Sequence, residues 1–146
     1  MIRYLVDTNV ISISAPTAAV SRAAILQWMQ SNSQNLFLSA VSLAEIADGI
    51  TKARRTGGTR KASDLAAWLK TVLHLYGDHV LPFDSPTAEI AGGLSDLARG
   101  RGHSPGLADV IIAATAKRHG LTILSRNARH FVPLDVRVID PFRTLS

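Results

Sequence analysis

The stretch Ile2-Arg3-Tyr4-Leu5-Val6-Asp7 decides the predicted fold. Apart from Arg3, it is a short and nearly continuous apolar run, and it ends at a carboxylate. Such a run is typical of a strand that is buried on both faces of a parallel sheet. We therefore predict a first strand at Ile2–Val6, with Asp7 at its carboxyl end.

Similar strands and intervening helices are predicted along the rest of the chain. The further strands, each short, aliphatic and bounded by polar residues, Gly or Pro, are Leu36–Leu38, Val80–Phe83, Leu121–Leu124 and Val136–Ile139. Helices are predicted at Val20–Gln30, Val41–Ala53, Leu65–Leu75, Thr87–Ala98 and Leu107–Arg118, the last with Ser104 as N-cap and Pro105 in its first turn. This alternation predicts an α/β fold, namely a three-layer α/β/α domain with a central parallel sheet of about five strands. Ligands of such sheets bind at the carboxyl ends of the strands.

The chain is predicted to form one domain over residues 1–146. The break Gly57-Gly58-Thr59 joins two helices and leaves neither side long enough for a core of its own.

No apolar run approaches the roughly 18–20 residues of a membrane span, and Asp7 comes too early for a signal peptide. Cysteine is absent, which excludes disulfides and zinc–thiolate sites. We therefore expect a cytoplasmic protein.

The charge balance favours an anionic partner. The net charge is +5 and the pI is about 10.2. Basic residues form clusters at Lys52-Ala-Arg54-Arg55 with Arg60-Lys61, at Arg99-Gly-Arg101, at Lys117-Arg118, and at Arg126 with Arg129. Aromatic residues make up only 5% of the chain, so extensive base stacking is not expected. If RNA is the partner, contacts to its backbone should dominate, whereas an acidic protein partner stays open.

Asp7 and Glu45 each have a structural and a functional interpretation. Asp7 follows the first strand and could cap the next helix or lie in a site at the sheet edge. Glu45 lies three residues after Ser42, so Ser42-Leu-Ala-Glu45 could be a capping box, and taken alone that interpretation is favoured. Neither acid identifies a site without partners.

Asp109 is more informative because it lies in the otherwise apolar helix Leu107-Ala108-Asp109-Val110-Ile111-Ile112-Ala113-Ala114. An unpaired buried charge costs several kcal/mol, so this carboxylate must be neutral, paired, capping or bound to a cation. If Asp7, Glu45 and Asp109 converge at the sheet edge, their mutual repulsion favours binding of Mg²⁺ or Mn²⁺. Such an ion activates water for phosphodiester hydrolysis.

The ordered set of motifs resembles PIN domains, and most closely the VapC-type toxins. The matching segments are Leu5-Val6-Asp7-Thr8-Asn9, Ser42-x-x-Glu45, Leu107-Ala108-Asp109-x-x-Ile112-Ala113-Ala114 and Ser125-x-Asn127-x-x-His130-Phe131. The resemblance implies a Mg²⁺- or Mn²⁺-dependent endoribonuclease, the toxin of a type II toxin–antitoxin pair. It also implies a cognate antitoxin, a homodimer, and contact with DNA only through the antitoxin.

The resemblance also implies roles for particular residues. Asp7, Glu45 and Asp109 match the three principal acids of the family, with Asp7 and Asp109 holding the metal and Glu45 binding it directly or through water. Asn127 matches a polar position near the site. The family pattern has Thr and Asp where this chain has Ser125 and His130. The fourth acid is therefore missing, which leaves the number of metal ions open, and a solvated loop histidine is expected at position 130.

Three other classes of function compete with the ribonuclease interpretation. A non-catalytic basic α/β module that binds RNA or an acidic protein remains an alternative. An aspartyl-phosphate enzyme is disfavoured because Asn9 stands where a second aspartate is needed. A DNA-reading regulator is disfavoured because the sequence has no recognisable helix-turn-helix or basic-zipper pattern.

Overall fold

The computed structural model describes residues 1–16, 18 and 22–144. All five predicted strands are present, four of them shorter than predicted and β2 one residue longer: β1 Tyr4–Val6, β2 Leu36–Ser39, β3 Val80–Leu81, β4 Thr122–Leu124 and β5 Val138–Ile139. They form one sheet in the order β3-β2-β1-β4-β5, and every pairing is parallel. The predicted α/β class and five-stranded parallel sheet are confirmed.

The helices follow the predicted pattern with different ends. They are α1 Thr8–Ile11, α2 Ala23–Ser31, α3 Ala40–Arg55, α4 Thr59–Tyr76, α5 Ser85–Gly100, α6 Leu107–His119 and α7 Pro141–Thr144, with a 3₁₀ segment at Ala128–Leu134 among the connections. Val20, the predicted start of the helix that corresponds to α2, lies outside the described residues. None of the described helices has the length and apolarity needed to cross a membrane.

Two predicted helix caps were wrong, those of α3 and α6. Helix α3 begins at Ala40 because the hydroxyl of Ser39, at the end of β2, accepts a hydrogen bond from Val41 N. Ser42 therefore lies inside the helix and forms no capping box with Glu45. Helix α6 begins at Leu107 after Gly106, so Ser104 is not its N-cap.

The core lies in two layers on opposite faces of the sheet. Leu5 and Ile123 face α5, α6 and the 3₁₀ segment, whereas Val6 and Leu124 face α2, α3 and α4. All four side chains are at most 1% exposed, as expected for strands buried on both faces. Helix α6 is buried from Val110 to Ala116, which confirms the prediction of a buried helix around Asp109.

The C-terminal end of α6 gives a first testable prediction. Gly120 has φ 66°, a left-handed conformation that a side chain disfavours, whereas Gly92 lies inside α5 with open space at its Cα. We expect Gly120→Ala to lower the free energy of unfolding by about 1 kcal/mol and Gly92→Ala to raise it by up to about 1 kcal/mol. Urea denaturation measures both. Equal effects of the two substitutions would contradict this account of the helix end.

Candidate functional site

Asp7 lies at the carboxyl end of β1 and is 6% exposed. Its Oδ1 accepts a hydrogen bond from Thr8 N at 2.8 Å, so Asp7 does cap α1. Its Oδ2 accepts a hydrogen bond from Ser125 Oγ at 2.7 Å, from the residue that follows β4. The two interpretations of Asp7 are therefore compatible, because one oxygen caps the helix while the other faces the neighbouring strand end.

Burial raises the pKa of Asp7, and the carboxylate of Asp109 raises it further. The hydrogen bonds from Ser125 and Thr8 act in the opposite direction, as does His130. Hydrogen bonds to an ionised carboxylate favour its charged form, whereas burial and a neighbouring negative charge disfavour it. The net effect is an acid whose charge is incompletely compensated by the protein.

Glu45 lies near the start of α3 and is exposed. Its Oε1 accepts a hydrogen bond from Thr8 Oγ1 at 2.7 Å. Thr8 follows Asp7 directly, and so the first turn of α1 connects two of the three acids. Glu45 therefore belongs to the group at the sheet edge and not to a cap of its own helix.

Asp109 lies in the first turn of α6, with 28% of its side chain exposed. Burial raises its pKa, the charge of Glu45 raises it further, and His130 lowers it. His130 Nδ1 lies 3.5 Å from Asp109 Oδ2. The imidazole thus contacts an acid of the site instead of being only a solvated loop residue, and it occupies the position where the resemblance leads one to expect a fourth acid.

The loop after β4 completes the site around Ser125, which is fully buried. Ser125 Oγ accepts hydrogen bonds from Asn127 N at 3.0 Å and from Asn9 Nδ2 at 3.4 Å. Asn9 Nδ2 also lies 3.3 Å from Asp7 Oδ2, and its Oδ1 accepts from Arg126 N. Asn127 reaches this network through its backbone, while its exposed side chain lines a neighbouring cavity.

Thr8, Asn9 and Ser125 are the members that the sequence reasoning did not assign. Their positions were the available signal, because all three lie within three residues of the carboxyl end of a strand and close in sequence to Asp7 or Asn127. Thr8 and Asn9 follow β1, and Ser125 follows β4, the neighbour of β1 in the sheet. Polar residues at such positions share one edge of a parallel sheet.

The carboxylate oxygens of Asp7, Glu45 and Asp109 are suitable ligands for a hard divalent cation. Carboxylate oxygens are the side-chain ligands that Mg²⁺ and Mn²⁺ prefer. Among the described residues, however, no three His, Asp or Glu side chains form a closed ligand set. Each acid has another partner, namely Ser125 for Asp7, Thr8 for Glu45 and His130 for Asp109. Asp7 and Asp109 repel each other, as do Asp109 and Glu45, and a cation would relieve this repulsion.

A second prediction concerns the support of Asp7. Ser125→Ala removes the hydroxyl that donates to Asp7 Oδ2 within the protein interior. Asp7 Oδ2 then keeps only the longer hydrogen bond from Asn9 Nδ2, and Asn127 N loses its acceptor, so we expect the free energy of unfolding to fall by about 1–3 kcal/mol. Ser63→Ala, at an exposed position of α4, should change it by no more than about 0.5 kcal/mol. Urea denaturation compares the two, and a loss in Ser125→Ala no larger than in Ser63→Ala would contradict the proposed support.

Comparisons with known proteins agree with this architecture. The PIN domain family model matches residues 4–134. Toxin FitB of Neisseria gonorrhoeae is 34% identical over 139 residues, which are 94% of this chain and 97% of FitB. VapC ribonuclease Y4jK of Sinorhizobium fredii is 32% identical, with 94% and 96% of the two chains covered.

The solved structures give the same result. The crystal structure of FitAcB from Neisseria gonorrhoeae superposes with a TM-score of 0.84 at 33% sequence identity, covering 95% of this chain and 98% of that one. The family model spans β1 to β4 and all three acids, and the sequence relatives and the structure each cover at least 94% of the chain. The chain therefore belongs to the PIN-domain family, with VapC-type toxins among its relatives.

Proposed function

We propose that this protein, as a single domain over residues 1–146, is a metal-dependent endoribonuclease and the toxin of a type II toxin–antitoxin pair. The observation that carries the proposal is the group of Asp7, Glu45 and Asp109 at one edge of the sheet, connected through Thr8, Ser125 and His130. For RNA hydrolysis, the three carboxylates would hold a cation, and this cation would activate a bound water.

The relatives support the biological part of the proposal. One is named a toxin and another a VapC ribonuclease, and both align over almost their full length. We infer that the partners of this protein are its RNA substrate, a cognate antitoxin and a second copy of the chain. Any contact with DNA runs through the antitoxin, and the activity takes place in the cytoplasm.

The residues of the site have distinct roles in this proposal. Asp7 and Asp109 hold Mg²⁺ or Mn²⁺, and Glu45 binds it directly or through water. When bound, the ion lowers the pKa of a water ligand and neutralises charge that develops on the phosphate. Hydrogen bonds from Ser125 and from the backbone of Thr8 favour the charged form of Asp7 and orient it, while Thr8 Oγ1 orients Glu45. Asn127 lies beside the site, where its exposed amide can contact the RNA.

Metal removal tests this function directly. Purified protein without antitoxin is expected to cleave RNA with Mg²⁺ or Mn²⁺ and to stop when EDTA is added, because in the proposed mechanism the cation activates the water and neutralises charge on the phosphate. Restoring either ion in excess should restore cleavage. Cleavage that continues in EDTA would contradict the metal-dependent mechanism, and folded protein that never cleaves RNA would favour a non-catalytic module that binds RNA or an acidic protein.

A further inference from the structure

Two adjoining cavities lie beside the acids and share one arginine. The larger, of about 680 Å³, is lined by Asp109 and His130 together with Arg101 and Arg129. The smaller, of about 370 Å³, is lined by Arg126, Asn127 and again Arg129, together with Arg143 and Asp140, which pair with each other. Arg129 thus borders both cavities, which together form a basic groove that passes Asp109. We refer to the two cavities together as the arginine groove.

The three arginines of this groove are not neutralised by acids. Arg101, Arg126 and Arg129 are exposed, and none of them forms an ion pair with an acid of the described residues. Other members of the basic clusters do have such partners: Arg99 pairs with Asp96, Lys117 with Asp135 and Arg118 with Asp84. The cluster at the end of α3 and the start of α4 also forms no ion pair among the described residues, so what distinguishes Arg101, Arg126 and Arg129 is that they line the cavities beside Asp109.

Two of the three guanidinium groups are also held in place. Arg101 Nη1 donates to the carbonyl of Pro133 at 3.4 Å, and the Arg126 guanidinium lies 4.8 Å from the centre of the Phe142 ring. Arg129 follows in the 3₁₀ segment, whose Phe131 is fully buried. An arginine that is already oriented loses less side-chain entropy when it binds an anion, and its planar group suits phosphate oxygens.

We propose that a single strand of RNA runs along the arginine groove, with Arg101, Arg129 and Arg126 contacting its backbone phosphates as it passes Asp109. A positively charged groove that tracks the backbone is the usual means of binding a single strand without base readout. Binding requires no metal, so the inference can be tested apart from catalysis. Its link to cleavage rests on the proposed function, because only that function places the reacting phosphate at Asp109.

The test measures binding of a fluorescent single-stranded oligouridine by anisotropy in EDTA, at several salt concentrations. The variant Arg101→Gln/Arg126→Gln/Arg129→Gln should bind roughly tenfold or more weakly at moderate salt. The slope of log K against log salt should fall in magnitude by about 2, because each phosphate contact to a single strand contributes about 0.7. The control Lys52→Gln/Arg54→Gln/Arg55→Gln removes the same charge from the end of α3 and should stay close to the wild type.

A second variant, Arg101→Gln/Arg129→Gln, keeps the contact between Arg126 and Phe142 and should reduce the slope by about 1.4. Equal losses in the groove and control variants would overturn the inference, as would unchanged RNA affinity. Loss of binding to a polyglutamate peptide with RNA binding intact would assign the groove to an acidic protein and also overturn it. Groove-dependent RNA binding by a wild type that cleaves nothing with Mg²⁺ or Mn²⁺ would support the inference while refuting the proposed function.

Discussion

Replacing Asp7 with asparagine is expected to lower the rate of RNA cleavage by at least about 10²–10³-fold, the usual effect of removing one preorganised electrostatic group from a reacting centre. The substitution preserves shape and most contacts. The amide oxygen can still accept from Thr8 N, whereas the amide nitrogen can donate to Ser125 Oγ only by displacing the long hydrogen bond from Asn9 Nδ2. What is lost is the negative charge that would hold the cation. Cleavage of labelled RNA at saturating Mn²⁺ measures the effect.

The same substitution is not expected to destabilise the protein. Burial raises the pKa of Asp7 in the folded state above its unfolded value. The stability that such an acid contributes is fully present below its unfolded pKa and is lost as the pH rises through its folded pKa. At any pH above that folded pKa, the charge of Asp7 is therefore a cost in the metal-free protein, and asparagine removes this cost. Thermal unfolding in EDTA over a range of pH should show the midpoint of Asp7→Asn rising relative to that of the wild type as the pH is raised.

Asp64→Asn provides the matched control for both measurements, because Asp64 is an exposed carboxylate on α4. It should leave cleavage and the unfolding midpoint close to the wild type. If Asp7→Asn cleaved RNA as fast as Asp64→Asn, Asp7 would not belong to the metal site. If Asp7→Asn were inactive but also unfolded, the loss of activity would carry no information on mechanism, and Asp109→Asn would then decide the question.

Phe131→Ala is expected to give the largest loss of stability, about 3–5 kcal/mol. Phe131 is fully buried against the core between the sheet, α5 and α6. Domains of this size are stable by about 5–15 kcal/mol, so the substitution removes a large part of the total. It should also loosen the 3₁₀ segment that carries Arg129 and His130. Urea denaturation gives the stability, and hydrogen exchange of residues 126–131 reports the loosening.

The next residue along the chain is a natural control. Val132 is 70% exposed, so Val132→Ala should change the free energy of unfolding by no more than about 0.5 kcal/mol. A comparable loss in the two variants would mean that Phe131 does not anchor the segment, and the assignment of this loop to the site would lose its structural basis.

The strands could be predicted from sequence because burial on both faces leaves a plain signal. Leu5 and Val6 lie on opposite faces of the sheet and are both fully buried. The outer strands β3 and β5 are shorter than predicted because aliphatic composition alone does not mark where pairing to one neighbour stops. The N-cap of α3 was misplaced because Ser39 and Ser42 are equally good caps in sequence, and only the end of β2 selects Ser39.

The three candidate acids could be proposed from the sequence, but the hydrogen bonds that connect them to their neighbours could not. Asp109 was marked by its place in a buried apolar helix, a local property. The bond from Ser125 to Asp7 joins residues 118 positions apart, and the bond from Thr8 to Glu45 joins residues 37 apart. Such contacts depend on the strand order, which places β4 beside β1, and no local pattern encodes that order.

The most direct test of the metal-dependent nuclease is the cleavage of a total-RNA pool by purified, antitoxin-free protein, with Mg²⁺ or Mn²⁺ and with EDTA. Wild type is compared with Asp7→Asn and Asp109→Asn, each shown to be folded by circular dichroism. We predict discrete fragments from the wild type only, only with metal, and the fragment ends would identify the RNA target. Cleavage by both variants at the wild-type rate, or none by folded wild type under any condition, would contradict the assignment of the three acids.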